Sequence, residues 1–166
     1  MTDTGFSLPE SQRHRLCDCW TYVPGQKPRL IDEAARSKLT LPAAFEGGGG
    51  GLVSTIDDYH RFCRMLVGRG AADGVRIVSP KTIDLMRSNF LPGGADLTQL
   101  SRSLFSEANN AGTGFGLGFG VMLDPARALV PGSVGEYFWG GMFSTAFFVD
   151  PVERIHAVFM TQLSPS

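Results

Sequence analysis

Hydrophobic residues are densest between residues 136 and 163, in two runs rich in aromatic and β-branched side chains. The first run ends at Val149 and the second begins at Ile155. Residues 150–154 between them include one proline and three charged residues. Strands favour aromatic and β-branched residues, and a short polar break between two such runs is typical of a turn. The pattern therefore predicts a β-hairpin, which we interpret as the central antiparallel pair of a sheet.

Trp139, Gly140 and Gly141 lie near the edge of the first predicted strand. Two consecutive glycines leave the main chain without side-chain cover, so a ligand carbonyl can approach the backbone N–H groups. An oxyanion-binding site needs this close approach. Trp139 either lines the resulting pocket or packs in the core, because aromatic residues serve both purposes.

The rest of the chain shows clearer local signals. Apolar residues at helical spacing predict a helix that is capped by Ser54 and ends at Gly68. A turn at residues 73–74, a strand at residues 75–78 and a helix capped by Ser79 follow. Upstream, a short helix capped by Ser7 precedes a smaller hairpin, with strands at residues 20–23 and 29–31.

Glycine is concentrated in two places. The run at residues 47–51 is either a linker or a stretch that lets the backbone pass close to another element, and we favour the second interpretation. A P-loop is rejected because neither Lys-Ser nor Lys-Thr follows the run. In residues 114–123, glycine alternates with large apolar residues, which predicts one strand with one bare face. Residues 88–111 and 124–135 are predicted loops.

The charge of the chain is nearly balanced: its 166 residues include 15 basic and 16 acidic side chains, for a formal net charge of -1. The length suits one domain. The balance of charges does not indicate a basic surface for nucleic acid or a polybasic membrane anchor. No apolar run reaches the length of a membrane span, and no signal-peptide pattern opens the chain. We therefore expect no nucleic-acid or membrane partner and a cytoplasmic location.

The cysteines give no sign of a disulfide framework, because Cys17, Cys19 and Cys63 are an odd number in a chain of ordinary size. His14 lies close to the first two. A Cys-x-Cys spacing with one histidine is not a known zinc arrangement, and no second ligand pair follows. We predict no metal and no other cofactor.

Five segments form a recognisable series. In chain order they are Gly-Gly-Gly-Gly-Leu-Val-Ser-Thr at 48–55, Asp-Gly-Val-Arg-Ile-Val-Ser-Pro at 73–80, Gly-Phe-Gly-Leu-Gly-Phe at 114–119, Trp-Gly-Gly at 139–141 and Asp-Pro at 150–151. Together they resemble the serine β-lactamase-like hydrolases, which include class C β-lactamases, D-alanyl-D-alanine peptidases and penicillin-binding-protein-like esterases. Trp-Gly-Gly resembles the esterase branch, where it replaces the Lys-Thr-Gly of true β-lactamases.

The resemblance implies an α+β fold in which an antiparallel β-sheet is flanked by helices, as in the α/β part of the β-lactamase/transpeptidase-like fold. It also implies a reactive serine that forms an acyl-enzyme. By the same resemblance, the backbone N–H of Met142 is one half of an oxyanion site. Trp139, Gly140 and Gly141 would then contact the substrate, a small-molecule ester or lactam.

The chain departs from this superfamily where the nucleophile is expected. Members carry Ser-x-x-Lys and a second motif of the Tyr-x-Asn or Tyr-Ser type, and neither motif occurs here. Ser144 and Thr145 lack a basic neighbour, and His14, His60 and His156 are isolated in the sequence, so we assign none of them a catalytic role. We interpret residues 1–166 as a single partial domain: the carboxy-terminal portion of such a hydrolase, incomplete at both ends and inactive alone.

A sheet without its neighbouring strands exposes an edge and an apolar face, so we expect self-association into a dimer or larger oligomer. Two other hypotheses stay open. The chain is alternatively a non-catalytic pseudoenzyme or binding module that associates through its sheet edge, or a structural domain that shares the pattern by chance.

Overall fold

The computed structural model describes residues 1–100 and 110–165. The chain divides into two compact units. Unit 1 contains Met1–Phe62, Gly140–Ala146 and Val158–Ser166, and unit 2 contains Cys63–Trp139 and Phe147–Ala157. Each unit joins segments that are far apart in sequence, so its formation requires the closure of long loops.

The strands and helices of the described residues are short. The strands are β1 (Cys19–Tyr22), β2 (Arg29–Asp32), β3 (Ala71–Ala72), β4 (Val75–Arg76), β5 (Thr113–Phe115), β6 (Gly120–Met122), β7 (Tyr137–Gly140), β8 (Ala146–Asp150), β9 (Ile155–Phe159) and β10 (Leu163–Pro165). The α-helices are α1 (Ile56–Val67), α2 (Pro80–Met86), α3 (Leu97–Leu100) and α4 (Pro125–Ala128), and 3-10 helices span Glu10–Arg15, Ala34–Arg36, Lys38–Thr40 and Pro92–Gly94. The strands form sheets in the orders β10-β1-β2, β3-β4 and β5-β6-β7-β8-β9.

The predicted smaller hairpin is confirmed in unit 1, where β1 and β2 pair antiparallel. The sequence did not indicate that β10 pairs with β1 in parallel, with Leu163 opposite Trp20. The Trp20 N–H also donates to the carbonyl oxygen of Gln162 at 2.9 Å. Two ladders therefore hold β1, and β10 is attached to a part of the chain about 140 residues away, a separation no local pattern reveals.

The core of unit 2 lies where helical residues and the sheet bury apolar side chains. Cys63 and Leu66 from α1, Ile83 from α2, Tyr137 from β7 and Val149 from β8 are each no more than 2% exposed. Full burial of one such side chain contributes about 1.5–3 kcal/mol.

Several local predictions are confirmed. Helix α1 ends at Val67, and Gly70 takes a left-handed φ of 90° while its N–H donates to the Met65 carbonyl. Asp73 and Gly74 form the turn between β3 and β4, with φ values of 51° and 78°. The Ser79 hydroxyl oxygen accepts the Thr82 N–H at 3.0 Å, which makes Ser79 the N-cap of α2.

Two predicted caps are wrong. The hydroxyl of Thr55, not Ser54, accepts the Asp58 N–H at the start of α1, and Ser54 instead hydrogen-bonds the Thr4 hydroxyl at 2.8 Å. The first helix is a 3-10 helix whose N-cap position is Pro9, so Ser7 does not cap it. In both places a neighbouring residue occupies the cap position, a shift of one or two residues that propensity alone does not resolve.

The interpretation of residues 47–51 as a close-approach segment is also wrong. A Cβ atom added at Gly48, Gly49, Gly50 or Gly51 would meet no other atom within 4 Å. The run lies inside Met1–Phe62, a continuous part of unit 1. It is an exposed turn, and only Gly51 has the left-handed φ that favours glycine.

The two long predicted strands are each divided. Residues 114–123 form the β5-β6 hairpin, because Gly118 takes a φ of 93° and the Gly116 N–H donates to the Phe119 carbonyl at 2.8 Å. The run from residue 136 to 149 is divided into β7 and β8 by a turn at Gly141. The pair β8 and β9 is therefore not central, because β9 is at the end of the described sheet order.

The two predicted loops are partly helical. Residues 88–111 contain the 3-10 helix Pro92–Gly94 and α3, and the prediction for residues 101–109 lies outside the described part. Residues 124–135 begin with α4, which Asp124 caps by accepting two backbone N–H groups. Within the described residues, no helix combines the length and the hydropathy needed to cross a membrane.

Candidate functional site

A tight loop joins β7 to β8 and carries the predicted oxyanion residue. The Gly141 N–H donates to the Thr145 carbonyl at 2.8 Å, and the Ser144 N–H donates to the Gly141 carbonyl at 3.0 Å. Ser144 has a left-handed φ of 59°. These bonds define a three-residue hairpin loop, a type I turn followed by a left-handed residue.

Met142 is the second residue of that turn. The residue is 73% exposed. No acceptor for its N–H is present in the part of the chain that the structure describes, as expected because the second residue of a type I turn makes no internal N–H bond. The predicted donor therefore belongs to an exposed residue and has no internal acceptor among the described residues. This is the property that an oxyanion-binding amide requires.

The glycines of the segment have a structural role in addition to the predicted one. A Cβ at Gly141 would collide with the Thr145 hydroxyl, and a Cβ at Gly140 would lie 3.3 Å from the Thr145 carbonyl. A side chain at position 141 would therefore force the Thr145 side chain to move. Both glycines are exposed, so the segment remains open to solvent.

Ser144 and Thr145 are loop residues, and the expectation that they are strand residues is wrong because β8 begins at Ala146. The Ser144 hydroxyl donates to the Leu163 carbonyl at 2.8 Å, and the Leu163 N–H donates to the Phe143 carbonyl at 3.3 Å. These two bonds, which sequence reasoning missed, attach the loop to β10.

Trp139 is half-buried at the end of β7 in unit 2. Its indole lies edge-on to the Phe115 ring, with centroids 4.8 Å apart. The side-chain oxygen of Asn89 accepts the Phe115 N–H at 3.1 Å, and the Phe115 carbonyl accepts the Phe90 N–H at 2.9 Å. The contact with Phe115 supports the packing role of Trp139, and its pocket-lining role stays a prediction.

A shallow groove of about 810 Å³ in unit 1 does not involve the predicted site residues. Trp20, Pro28 and Leu163 provide apolar surface, and Asp18 and Lys27 also line the groove. Since Trp139, Gly140, Gly141 and Met142 are not among its lining residues, the groove gives no support to their predicted role in substrate binding.

The three histidines lie on separate elements of the described structure. The His14 ring contacts its own helix through the Ser11 carbonyl at 3.1 Å, and His60 and His156 lie on α1 and β9. No group of three or more His, Cys, Asp or Glu residues in the described ranges could hold a metal ion.

The model of the beta-lactamase family matches residues 1–166. The chain belongs to this family. Protein Rv1367c of Mycobacterium tuberculosis (strain ATCC 25618 / H37Rv) is 35% identical over 168 residues, covering 99% of the chain and 40% of that protein. Esterase EstB of Burkholderia gladioli is 28% identical over 131 residues, covering 76% of the chain and 28% of EstB. The chain thus spans at most 40% of the length of these relatives.

Solved structures show the same fold. EstCE1, described as a hydrolase with promiscuous acyltransferase activity, matches with a TM-score of 0.70 and 25% identity, over 98% of this chain and 42% of EstCE1. Simvastatin synthase LovD of Aspergillus terreus matches with a TM-score of 0.78 at 21% identity, over 99% of this chain and 42% of LovD, a likeness of fold. The predicted α+β class and β-lactamase/transpeptidase-like architecture are confirmed.

Proposed function

We propose that this chain supplies one wall and one oxyanion donor of a serine hydrolase that forms an acyl-enzyme with ester substrates. Family membership supports the hydrolase class. The proposal is supported by the Met142 amide, which has no internal acceptor among the described residues and belongs to an exposed residue of a tight turn directly after Trp139-Gly140-Gly141. A preorganised N–H without an internal acceptor stabilises the charge that develops on a carbonyl oxygen during acyl transfer.

The nucleophile would come from a Ser-x-x-Lys segment outside these 166 residues, which would make them the carboxy-terminal portion of the enzyme. When the serine oxygen attacks the ester carbonyl, the carbonyl oxygen becomes an oxyanion, and the Met142 N–H donates to it together with a second N–H. The alcohol then leaves and water hydrolyses the acyl-enzyme. Without the serine, comparable enzymes retain about 10³-fold catalysis over water, so the isolated chain is in practice inactive.

Ester substrates fit the segment better than lactams. The position that holds lysine in Lys-Thr-Gly is Trp139 here, so the segment offers an aromatic surface in place of a cation. An aromatic surface favours an apolar acyl or alcohol group, whereas a lysine favours an anionic substrate. The similarity to an esterase and to a hydrolase with acyltransferase activity supports the same choice.

The N–H of Met142 can be removed without disturbing the turn. Proline lacks the N–H, and it is favoured at the second position of a type I turn. We expect Met142→Pro in the complete hydrolase to lower kcat for a p-nitrophenyl ester by about 10²–10³-fold, the usual effect of losing one oxyanion donor. Met142→Ala is the matched control, because it removes the side chain and keeps the N–H.

The difference between the two variants isolates the N–H. A kcat for Met142→Pro equal to that of Met142→Ala, with unchanged thermal unfolding, would refute the oxyanion role. Labelling of the complete protein by a fluorophosphonate supports a reactive serine. Absence of labelling by both a fluorophosphonate and a penicillin would refute the hydrolase assignment.

The self-association hypothesis rests on a separate observation. One face of the edge strand β9 leaves Ile155, Ala157 and Phe159 exposed, with Ile155 52% and Phe159 62% accessible. Edge strands with exposed apolar residues pair readily with another chain. We propose that two copies of this chain associate along β9, which would also serve the alternative of a non-catalytic binding module.

A further inference from the structure

The loop that carries Met142 contains an unusual residue at its left-handed position. Three-residue hairpin loops of this kind usually place glycine there, because a Cβ atom disfavours positive φ. This chain places Ser144 there, with φ 59°. A residue that is intrinsically unsuited to its backbone conformation indicates a compensating interaction made by its side chain.

That interaction is the hydrogen bond from the Ser144 hydroxyl to the Leu163 carbonyl, at 2.8 Å. The Leu163 N–H closes the arrangement by donating to the Phe143 carbonyl at 3.3 Å. Two consecutive loop residues are therefore attached to one residue of β10. A glycine at position 144 would satisfy the backbone and leave only one of the two bonds.

The attachment extends into the sheet of unit 1. Leu163 lies opposite Trp20 in the parallel β1-β10 pair, and the Trp20 N–H donates to the Gln162 carbonyl at 2.9 Å. β1 is in turn paired with β2. Two sets of hydrogen bonds thus hold the loop. The bonds within the hairpin set its shape, and the bonds to Leu163 set its position relative to β10 and β1.

We propose that Ser144 is a positioning residue, which fixes the direction of the Met142 N–H by bonding the loop to Leu163 of β10. Its effect on catalysis rests on the proposed oxyanion role of Met142, whereas its effect on the loop does not. The exposed hairpin would otherwise rock about its two strand ends, and the amide would move with it. Misplacement of a reacting group by about 1 Å can cost up to about 10²-fold in rate.

Two substitutions separate the backbone role of Ser144 from its hydroxyl role. Ser144→Gly removes the hydroxyl and relieves the left-handed strain, so its Tm should remain within about 3 °C of wild type. Ser144→Ala removes the hydroxyl and keeps the strain. If the hydroxyl positions the amide, both variants lose that positioning although their stabilities differ. Ser11→Ala is the control, because Ser11 is an exposed serine of the same unit.

The first measurement uses the 166-residue chain labelled with ¹⁵N. In both Ser144 variants we expect the Met142 amide signal to move and the Leu163 N–H to exchange with solvent about tenfold faster, the equivalent of one lost hydrogen bond. Ser11→Ala should change neither. If the Met142 signal and the Leu163 exchange rate in both Ser144 variants equal those of Ser11→Ala, the positioning role is overturned.

The second measurement uses the complete hydrolase. We expect Ser144→Gly to lower kcat about tenfold and to leave KM within twofold, because the amide acts on the transition state rather than on substrate binding. If Met142→Pro lowers kcat and Ser144→Gly does not, the positioning role is overturned and the proposed function stands. If Met142→Pro has no effect while the amide signal still moves in Ser144→Gly, the proposed function fails and the loop attachment stands.

Discussion

The Phe115 ring meets the Trp139 indole edge-on, with centroids 4.8 Å apart and planes at 74°. Phe115 lies on β5 and Trp139 on β7, so the contact reaches past β6, whose Gly120 is paired with Phe115 on one side and with Phe138 on the other. The contact packs the Trp139 indole against Phe115.

Phe115→Leu should therefore release Trp139. Loss of an edge-to-face aromatic pair costs about 0.5–1.5 kcal/mol, and the indole should become more solvated. The chain has two tryptophans, so a Trp20→Phe background leaves Trp139 as the emitter. We expect its fluorescence maximum to move to longer wavelength in Phe115→Leu and to stay in place in Phe90→Leu, which alters an exposed phenylalanine. An unchanged maximum in Phe115→Leu would show that this contact does not hold the indole.

The candidate site shows how far sequence reasoning extends. The candidate segment Trp139-Gly140-Gly141-Met142 was predicted from its residue types and from the family resemblance, both of which depend on local order. Ser144 could not, because its hydrogen bond to Leu163 depends on the parallel pairing of β10 with β1, which is set by contacts distant in sequence. Asn89 was missed for the same reason: its bond to the Phe115 N–H joins residues 26 apart.

In the fold, too, features set by neighbouring residues were predicted and features set by more distant contacts were not. The caps and turns at Ser79 and Asp73-Gly74 were predicted correctly because their geometry depends on neighbouring residues. The alternation at residues 114–123 was misread as one strand. A period of two residues fits both a single strand and a hairpin, and only the position of a left-handed residue shows where a hairpin turns. Gly118 supplies that residue, and nothing in the sequence distinguishes it from the other glycines of the run.

Asp96 should be sensitive to substitution because its buried carboxylate accepts several hydrogen bonds. Its carboxylate is 2% exposed and accepts hydrogen bonds from the Thr98 hydroxyl at 2.6 Å, the Gly112 N–H at 3.0 Å and the Arg127 guanidinium at 2.7 Å. Asp96→Asn replaces one acceptor oxygen by a donor. We expect the free energy of unfolding to fall by about 2 kcal/mol, the scale of hydrogen bonds to a charged group. The ion pair with Arg127 should contribute little to this loss, because that side chain is half exposed.

The pH dependence of this loss follows from the pKa. The hydrogen bonds from Thr98 and Gly112 lower the pKa of Asp96 below its ordinary value of 3.8. A lowered pKa contributes stability that is present above the unfolded value and is lost as the pH falls through the folded value. Urea unfolding should therefore show the full difference between wild type and Asp96→Asn at pH 7 and a shrinking difference below pH 3.8. A difference that is constant from pH 7 to pH 2.5 would contradict the prediction.

Glu136 should have the opposite pH behaviour. Burial, together with the nearby Asp150 carboxylate, raises the pKa of Glu136 above its ordinary value of 4.5. Stability from a raised pKa is present below the unfolded value and is lost as the pH rises through the folded value. Glu136→Gln should therefore stabilise the chain at pH 7, on the order of 1 kcal/mol, the usual scale for a single substitution, and the gain should vanish below pH 4.5.

Thermal unfolding across pH 4 to 8 measures this effect. Glu153→Gln is the matched control, because Glu153 is an exposed glutamate of the turn between β8 and β9. The control should change the Tm little at any pH. If Glu136→Gln is less stable than wild type at pH 7, the ionised carboxylate must make a stabilising contact, and the prediction is wrong.

Self-association along β9 can be tested by placing a charge on its exposed face. Light scattering coupled to size-exclusion chromatography should show a dimer or larger species for the wild-type chain at about 50 µM, a concentration at which weak interfaces are populated. Phe159→Lys should shift the chain toward the monomer, because a lysine on an edge strand opposes pairing with a second copy. Val134→Lys, which adds the same charge at a 64% exposed loop position, should leave the association unchanged. A wild-type chain that elutes as a monomer, or a Val134→Lys variant that dissociates as fully as Phe159→Lys, would rule out β9 as the interface.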